Sequence, residues 1–197
     1  KSDLLESLTH IKPVTVLAVW LPISLLLIIW GALRQPRVAF GVILLALVSG
    51  LFFWTLTEYL LHRFLFHANP RSAWAKRMVY LLHGIHHAQP MVKTRLVMVL
   101  PVSIPLAFGF YALFYLVFAV ILRSPGWANP FMGGFLLGYL AYDLIHYALH
   151  HYKSSWSAFQ YLRRTHLHHH TGIPVRSFGV SSPLWDYVFK TLPITDK

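Results

Sequence analysis

Cysteine is absent from this sequence of 197 residues, and charged residues make up only 12% of it. Without cysteine the chain can form no disulfide, no thiolate nucleophile and no cysteine-ligated zinc site. An ordinary soluble domain carries about 25% charged residues, and a chain with far fewer cannot build a water-facing surface all round. Since apolar residues reach 56%, much of the exterior must face lipid.

Acidic residues are scarce as well, because only six Asp and Glu stand against 17 Lys and Arg, for a net charge of +11. A basic excess indicates nucleic-acid binding when it forms a stripe or a basic helix. In this chain the basic residues are scattered between long apolar runs, so we expect no nucleic-acid partner. Membrane proteins show a similar excess on the cytoplasmic side of their spans.

Four apolar runs are each long enough to cross a bilayer, which takes about 20 helical residues. The sequence therefore predicts an all-α integral membrane protein, a single domain over residues 1–197 with four transmembrane helices and a cytosolic helical cap. The spans are predicted at about 14–33, 38–61, 96–122 and 130–149, and the cap at 62–95 and 150–197. Two re-entrant hairpins that enter one leaflet are the alternative arrangement.

The basic residues orient these spans. With four spans, 14 of the 17 Lys and Arg fall on the side that carries both termini. Only Arg34, Arg37 and Arg123 fall on the other side. Since Lys and Arg concentrate on the cytoplasmic side of membrane proteins, the termini and the cap are predicted to be cytoplasmic.

Histidine is unusually frequent, with 13 in the chain. Apart from His10, which we interpret as an amphipathic interfacial residue, the histidines lie in or next to the predicted cap. Residues three or four apart share one face of a helix, so the motifs HGIHH, HYALH and HLHHH can each direct imidazoles to one place. The candidate metal ligands are His62, His67, His83, His86, His87, His146, His150, His166, His169 and His170.

Helical spacing also predicts the direction of the histidines outside these regular pairs. His62 and His67 are five apart and diverge on a regular α-helix, so the helix is predicted to end there and let His67 turn back. His151 is expected to lie behind the ligands or in solvent, and His168 to point away from the ligand face. The apolar stretch 178–189 is predicted to close over the site.

The number of histidines indicates two metal ions. Neutral imidazole suits Fe, Zn, Cu or Ni, and a structural zinc takes about four ligands, so ten ligands fit two ions with open positions for chemistry. Glu58 lies one turn before His62, and Asp143 lies three residues before His146. Each carboxylate is predicted to accept the N–H of a ligand imidazole and orient it, the alternative being an ion pair with a nearby arginine.

Four motifs occur in the order TEYLLHRFLFH, LLHGIHHAQP followed by TRLVMVLP, GYLAYDLIHYALHH, and HLHHH followed by SFGVSSPLWDYVF. They resemble those of the fatty acid hydroxylase superfamily, and within it the fatty acid 2-hydroxylases, over roughly residues 54–193. The resemblance implies a four-span fold with a cytosolic cap, a dinuclear iron centre that uses O2, and metal ligation by the ten histidines. It also implies (R)-2-hydroxylation of a long-chain fatty acid or of the acyl chain of a ceramide-like lipid.

The resemblance implies cofactors and partners too. Two Fe ions are expected, and Zn can replace them in purified protein because both accept imidazole. Many members carry a cytochrome b5 domain, for which this chain has no room, so a separate cytochrome b5-like or ferredoxin-like electron donor is expected. This favours a bacterial inner membrane over the endoplasmic reticulum. The acyl substrate is expected to enter from the bilayer, past pocket walls formed by Tyr59, Tyr139, Tyr142 and Phe178.

Other functions remain open at this point. A lipid desaturase, or a hydroxylase of sterols or carotenoids, uses the same histidine chemistry, so ligand spacing cannot separate them from a 2-hydroxylase. Only the flanking residues favour the 2-hydroxylase. A membrane metal-binding or transport protein is the distant alternative, because transporters place ligands near the bilayer midplane, whereas these ligands are predicted at one edge.

Overall fold

The computed structural model of the chain describes residues 9–34, 40–171 and 176–193, and these contain helices but no strand. In chain order the α-helices are α1 Pro13–Arg34, α2 Phe40–Leu60, α3 Ala73–Val79, α4 Ile85–Ala88, α5 Leu100–Tyr115, α6 Ala128–His151, α7 Ser157–Thr171 and α8 Leu184–Val188. Within the described ranges three segments are π-helical, with hydrogen bonds between residues i and i+5. They are Leu61–Phe66, Tyr80–Gly84 and Leu116–Ile121. A 3-10 turn occupies Pro125–Trp127.

The described residues form two compact units. The apolar unit comprises 14–34, 40–54 and 99–141, and the histidine unit comprises 9–13, 55–98, 142–171 and 176–193. All ten candidate ligands belong to the histidine unit. This unit starts earlier along α2 and α6 than the predicted cap does, because the last turns of both helices already carry polar site residues such as Glu58 and Asp143.

Three helical stretches among the described residues are long and apolar enough to cross a membrane: Pro13–Arg34, Phe40–Phe66 and Leu100–Ile121. They correspond to the first three predicted spans, and α1 and α5 continue through their internal prolines, Pro22 and Pro105. The third begins later than the predicted residue 96. Proline is favoured in the first turn of a helix, where its missing N–H costs nothing, and Pro101 takes that place in α5.

The predicted fourth span, α6, is not among these candidates. Within the apolar unit its side chains are enclosed by protein, since Met132, Phe135 and Leu136 are each at most 3% exposed. By contrast, Leu26 of α1 and Phe108 of α5 are 64% and 72% exposed. A helix that packs against protein on most sides need not be as apolar as one that faces lipid. The composition of α6 therefore reflects its central position in the apolar unit.

Glycines allow α2 and α6 to approach closely within the apolar unit. A Cβ atom on Gly50 would overlap the backbone of Phe131, and a Cβ on Gly134 would overlap the carbonyl of Leu47. Small residues at helix contacts are typical of membrane helix packing, where backbone proximity and van der Waals contact replace the hydrophobic effect as the driving force. The two glycines therefore set the distance between these helices.

We expect Gly134→Ala to lower the thermal stability of the detergent-solubilised protein, with a loss of about 1–3 kcal/mol typical of overpacking. Gly109→Ala in α5 is the matched control, because a Cβ at Gly109 meets nothing within 4 Å. The melting temperature of each variant is measured by heating samples and quantifying the remaining folded protein by size-exclusion chromatography. Equal melting temperatures for both would show that α2 and α6 do not depend on this contact.

Candidate metal centre

Ten histidines of the histidine unit meet in two groups of five. The first group contains His62, His67, His83, His87 and His169, and the second contains His86, His146, His150, His166 and His170. In each group one nitrogen from every ring lies within 4.8 Å of the other four. The structure thus brings together the ten residues that the sequence selected and leaves His10, His151 and His168 outside both groups.

A π-helical segment brings the first pair together. The backbone N–H of His67 donates to the carbonyl of His62 at 3.2 Å, a bond between residues five apart. The wider π turn places such residues on one face, and the Nε2 atoms of His62 and His67 are 3.2 Å apart. The helix ends before Ala68, as predicted, with Phe66 as its last helical residue and His67 as the C-cap. The sequence did not indicate that the last turn would be π-helical.

The motifs HGIHH and HLHHH each supply both groups. His83 and His87, four residues apart, join the first group with their Nε2 atoms 2.9 Å from each other, whereas His86 joins the second. In HLHHH the pair spaced by four joins the second group and His169 joins the first. Neighbouring helical residues point about 100° apart. The expectation that each motif serves one place was therefore wrong for these two motifs.

The spacing of the nitrogens fits metal coordination. Two nitrogens bound at about 2.1 Å to one ion, at roughly 90–100° to each other, lie about 3.0–3.2 Å apart. In the first group the Nε2 atoms of His62 and His83 are separated by 3.1 Å, and in the second group those of His146 and His86 are separated by 3.0 Å. Both groups therefore have the size of a coordination shell around one ion.

Main-chain carbonyls orient two rings of the first group. The Nδ1 atom of His62 lies 2.5 Å from the carbonyl oxygen of Phe178, and Nδ1 of His169 lies 2.6 Å from that of Arg176. A carbonyl only accepts, so Nδ1 carries the hydrogen in both rings and Nε2 presents a lone pair to the group. Lone pairs this close repel one another unless a cation lies between them. The tautomers therefore suit metal binding.

Burial keeps the rings neutral. Loss of hydration, followed by repulsion from neighbouring imidazoles, lowers the pKa of His83, His86 and His166 well below the usual value. Burial likewise lowers the pKa of His67 to about 4 and that of His87 to about 3. A neutral imidazole is the form that binds a metal ion. The site is thus prepared for a cation without first having to release protons at neutral pH.

Glu58 has partners other than the predicted imidazole. Its Oε1 accepts the backbone N–H groups of Val180 and Ser181 at 2.6 and 2.8 Å, and the Ser181 hydroxyl donates to Oε2. The ring of His62 already has the Phe178 carbonyl as its partner. The carboxylate therefore holds the 178–181 segment, which in turn reaches the ring.

Asp143 is 1% exposed and accepts the backbone N–H of Met98 at 3.3 Å. Together with Tyr142, Arg95 and histidines of both groups it lines a cavity of about 40 Å³. A cavity of this size admits one or two molecules as small as water. The proposed hydrogen bond from His146 to Asp143 remains a prediction.

The four aromatic residues predicted as pocket walls have different positions. Phe178 is a wall of the first group, with its ring centroid 5.7 Å from that of His62, and Tyr142 lines the cavity. Tyr59 is fully buried, stacks on Phe189 at 5.2 Å and hydrogen-bonds through its hydroxyl to Thr191. Tyr139 belongs to the apolar unit and packs there against Trp20 and Trp54. Neither Tyr59 nor Tyr139 lines this cavity.

Two residues near the cavity were not found as site residues from the sequence. His10 lies with Nδ1 2.5 Å from the Thr94 hydroxyl, and Arg95 donates from Nη2 to His10 Nε2 at 2.8 Å. The Ile11 N–H also donates to the Thr94 carbonyl at 2.9 Å. The segment before α1 is thus fastened to the loop that carries Arg95. The motif TRLVMVLP contained the signal, since it places one arginine among apolar residues directly after a histidine motif.

Comparisons with known proteins agree with this arrangement. The family model for fatty acid hydroxylase matches residues 47–191. A dihydroceramide fatty acyl 2-hydroxylase of Arabidopsis thaliana is 38% identical over 99% of this chain and 79% of its own length. The fatty acid 2-hydroxylase of Homo sapiens is 35% identical over 97% of this chain and 55% of its own length. A solved structure of full-length scs7p, in which only the hydroxylase domain is visible, matches with a TM-score of 0.88 and 36% identity, covering 98% of this chain and 71% of that one.

Apolar helices long enough for a membrane, together with paired all-histidine groups, define a class of membrane protein whose histidines can hold metal ions. Within that class, the chain belongs to the fatty acid hydroxylase family. It is therefore an oxidoreductase of the hydroxylase type, as the named relatives are.

The second group provides a matched test of metal ligation. His170→Ala removes a ring whose Nε2 lies 3.0 Å from that of His86, and we expect the metal content to fall from two ions per chain towards one. His168→Ala, two residues away on an exposed position outside both groups, is the control and should keep both ions. Elemental analysis of the purified proteins measures the difference. Because four remaining ligands can still hold an ion, both variants are first equilibrated with a competing chelator. Equal metal content after that treatment would exclude His170 as a ligand.

Proposed function

We propose that this protein is a di-iron enzyme that uses O2 to add a hydroxyl group at C2 of a long-chain fatty acid or of the acyl chain of a ceramide-like lipid. The observation that carries the proposal is the pair of five-histidine groups inside a chain of the fatty acid hydroxylase family. The names of the relatives, which include a dihydroceramide fatty acyl 2-hydroxylase, support the position and the class of substrate.

The donor set supports iron as the metal. Nitrogen-only ligation by neutral imidazole suits Fe as well as Zn, and hydroxylation of an unactivated C–H bond requires a redox-active centre, because side chains alone cannot supply the oxidant. Two irons held by the ten histidines would supply reductive activation of O2, in which two electrons and two protons leave one oxygen atom in the product and the other in water.

The residues of the chain itself supply geometry and exclusion of water. The cavity of about 40 Å³ is lined by His83 of the first group and by His86 and His146 of the second. A small molecule in it would contact both metal sites at once. Most of its other lining side chains are apolar, for example Phe66 and Leu96, and these limit the access of further water.

The polar groups of the same cavity suit the polar end of an acyl lipid. Arg95, Tyr142 and Asp143 line it together with the histidines. Hydrogen bonds to the carboxylate or amide carbonyl would hold C1, and the carbon next to C1 is C2. The cavity of about 40 Å³ would have to widen to admit this end of the substrate. C2 would then lie next to the metal centre, because the lining polar residues and the ligands share one space.

The membrane side and the electron source belong to the same proposal. We propose four spans and a cytoplasmic cap that carries the histidine groups, supported by the concentration of Lys and Arg in the segments around them. The reaction consumes two electrons, which we assign to a separate donor protein of cytochrome b5-like or ferredoxin-like type. A bacterial inner membrane remains the sequence-based expectation for its location.

Lipid mass spectrometry of a host that makes no 2-hydroxylated lipids tests the function. Expression of the chain should produce acyl lipids with one added oxygen, which fragmentation places next to the carbonyl. Separate analysis of free fatty acids and of sphingolipids distinguishes the two proposed substrates. The double variant His83→Ala/His86→Ala, which removes one ligand from each group, should yield no product at the same expression level.

Two outcomes would contradict the proposal. Loss of two hydrogens from the acyl chain without gain of oxygen would identify a desaturase. A hydroxyl on a sterol or carotenoid, with unchanged acyl lipids, would identify another substrate for the same metal chemistry.

A further inference from the structure

The segment after α7 contacts one histidine group through its backbone. Arg176 and Phe178, on either side of Ser177, direct their carbonyl oxygens to Nδ1 of His169 and His62, both in the first group. In the second group Nδ1 of His86, His150, His166 and His170 is buried without a hydrogen-bond partner in the part of the chain that the structure describes. The two groups therefore differ in how their rings are held.

Ser177 adopts a backbone conformation that directs the two carbonyls. Its φ angle is 60°, in the left-handed region that non-glycine residues seldom occupy. Its N–H donates to the Thr191 carbonyl at 2.8 Å. The side chain is 3% exposed, and its hydroxyl has no hydrogen-bond partner among the described residues. The position thus matters through its backbone, and strained residues of this kind cluster at functional sites.

Buried carboxylates fix the segment on the far side of this turn. Asp186 accepts the backbone N–H of Phe178 at 2.9 Å and that of Gly179 at 2.7 Å, and it accepts the Thr191 hydroxyl at 2.7 Å. Glu58 accepts the N–H groups that follow in the chain. A carboxyl group accepts through both of its oxygens, so it can hold neighbouring N–H groups at once. Hydrogen bonds from the backbone before and after the Phe178 carbonyl therefore fix its orientation.

We infer that residues 176–178 form a backbone clamp that sets the metal affinity of the first histidine group and leaves the second group unaffected. Ser177 is a positioning residue: it acts on the ion only through the rings of His62 and His169. Partners that orient a ligand imidazole typically contribute 10–100-fold to metal affinity. The inference rests on the metal-binding part of the proposed function, and it predicts that the two ions can be separated by affinity.

The test uses Zn²⁺ as a redox-silent probe. Purified full-length protein is equilibrated with Zn²⁺ and graded concentrations of a competing chelator, and zinc per chain is measured by mass spectrometry. Ser177→Val places a β-branched residue at a positive φ, which it strongly disfavours. We expect one of the two ions to be lost at about 10–100-fold lower chelator activity than in the unmodified protein.

The matched control is Ser177→Gly. Glycine adopts a positive φ without strain, and neither substitution removes a hydrogen bond of the hydroxyl to a described residue. Ser177→Gly should therefore retain two ions like the unmodified protein. Asp186→Asn is an independent second variant, because its amide cannot accept both N–H groups of the clamp, and it should weaken one ion in the same way.

Ligand variants assign the weakened ion to a group. In a His62→Ala/His169→Ala background, which lacks both rings that the clamp contacts, adding Ser177→Val should change nothing further. In a His150→Ala background, which retains the first group, Ser177→Val should weaken the remaining ion. The ion that the Ser177→Val protein retains also shows that this variant still folds.

The outcomes separate this inference from the proposed function. Loss of both ions in Ser177→Val, or an effect that persists in the His62→Ala/His169→Ala background, would show that the segment is a general structural element and would overturn the clamp. Unchanged zinc binding in both Ser177→Val and Asp186→Asn would overturn it as well. If the unmodified protein binds fewer than two ions, or if His62→Ala/His169→Ala and His150→Ala do not each weaken the binding of one ion against the chelator, the proposed metal binding fails and the clamp fails with it.

Discussion

The structure depends on the need to bury neutral imidazoles with their lone pairs facing one another. Burial lowers the pKa of rings such as His83 and His166, and folding brings ring nitrogens to about 3 Å from each other. In the tautomer that binds a metal ion, these nitrogens present lone pairs to one another. Without a cation that arrangement is repulsive, so the surrounding fold must supply the free energy that holds it. Helical pairs, π-helical turns and the segment after α7 can all be understood as ways of meeting this requirement.

Helical spacing explains why part of the site can be predicted from the sequence. Pairs at i and i+4, such as His146 and His150, lie on one face of any α-helix, and the structure brings these two into one group. The pair His62 and His67 lies outside that rule, because a π-helical segment forms only where tertiary contacts favour it over the α-helix. The sequence thus shows a spacing of five between two ligands, but it does not show that a π-helical segment brings them together.

The division of ligands between the groups was not predictable for a related reason. His86 and His87 are adjacent and point in different directions, yet the sequence does not say what lies in either direction. Only the packing of the helices of the histidine unit against one another decides that His86 meets His146. The same limit applies to α6: its length indicated a span, whereas its composition reflects neighbours that surround it in the apolar unit.

Backbone groups are the part of the site least visible in a sequence. The carbonyls of Arg176 and Phe178 would be present with any side chain at those positions, so no residue type signals their role. The constraint instead falls on the residues that fix the backbone. These are Ser177, through its positive φ, and Glu58 and Asp186, through their carboxyl groups.

Burial raises the pKa of Asp186, and its hydrogen bonds oppose that rise. An acid is retained at this buried position, despite this cost, because a carboxyl group accepts at both terminal atoms, whereas an amide of similar size accepts at only one. A buried acid in this protein therefore indicates a backbone that must be held, which explains why the acid predicted to bind an imidazole directly is found one segment away from it.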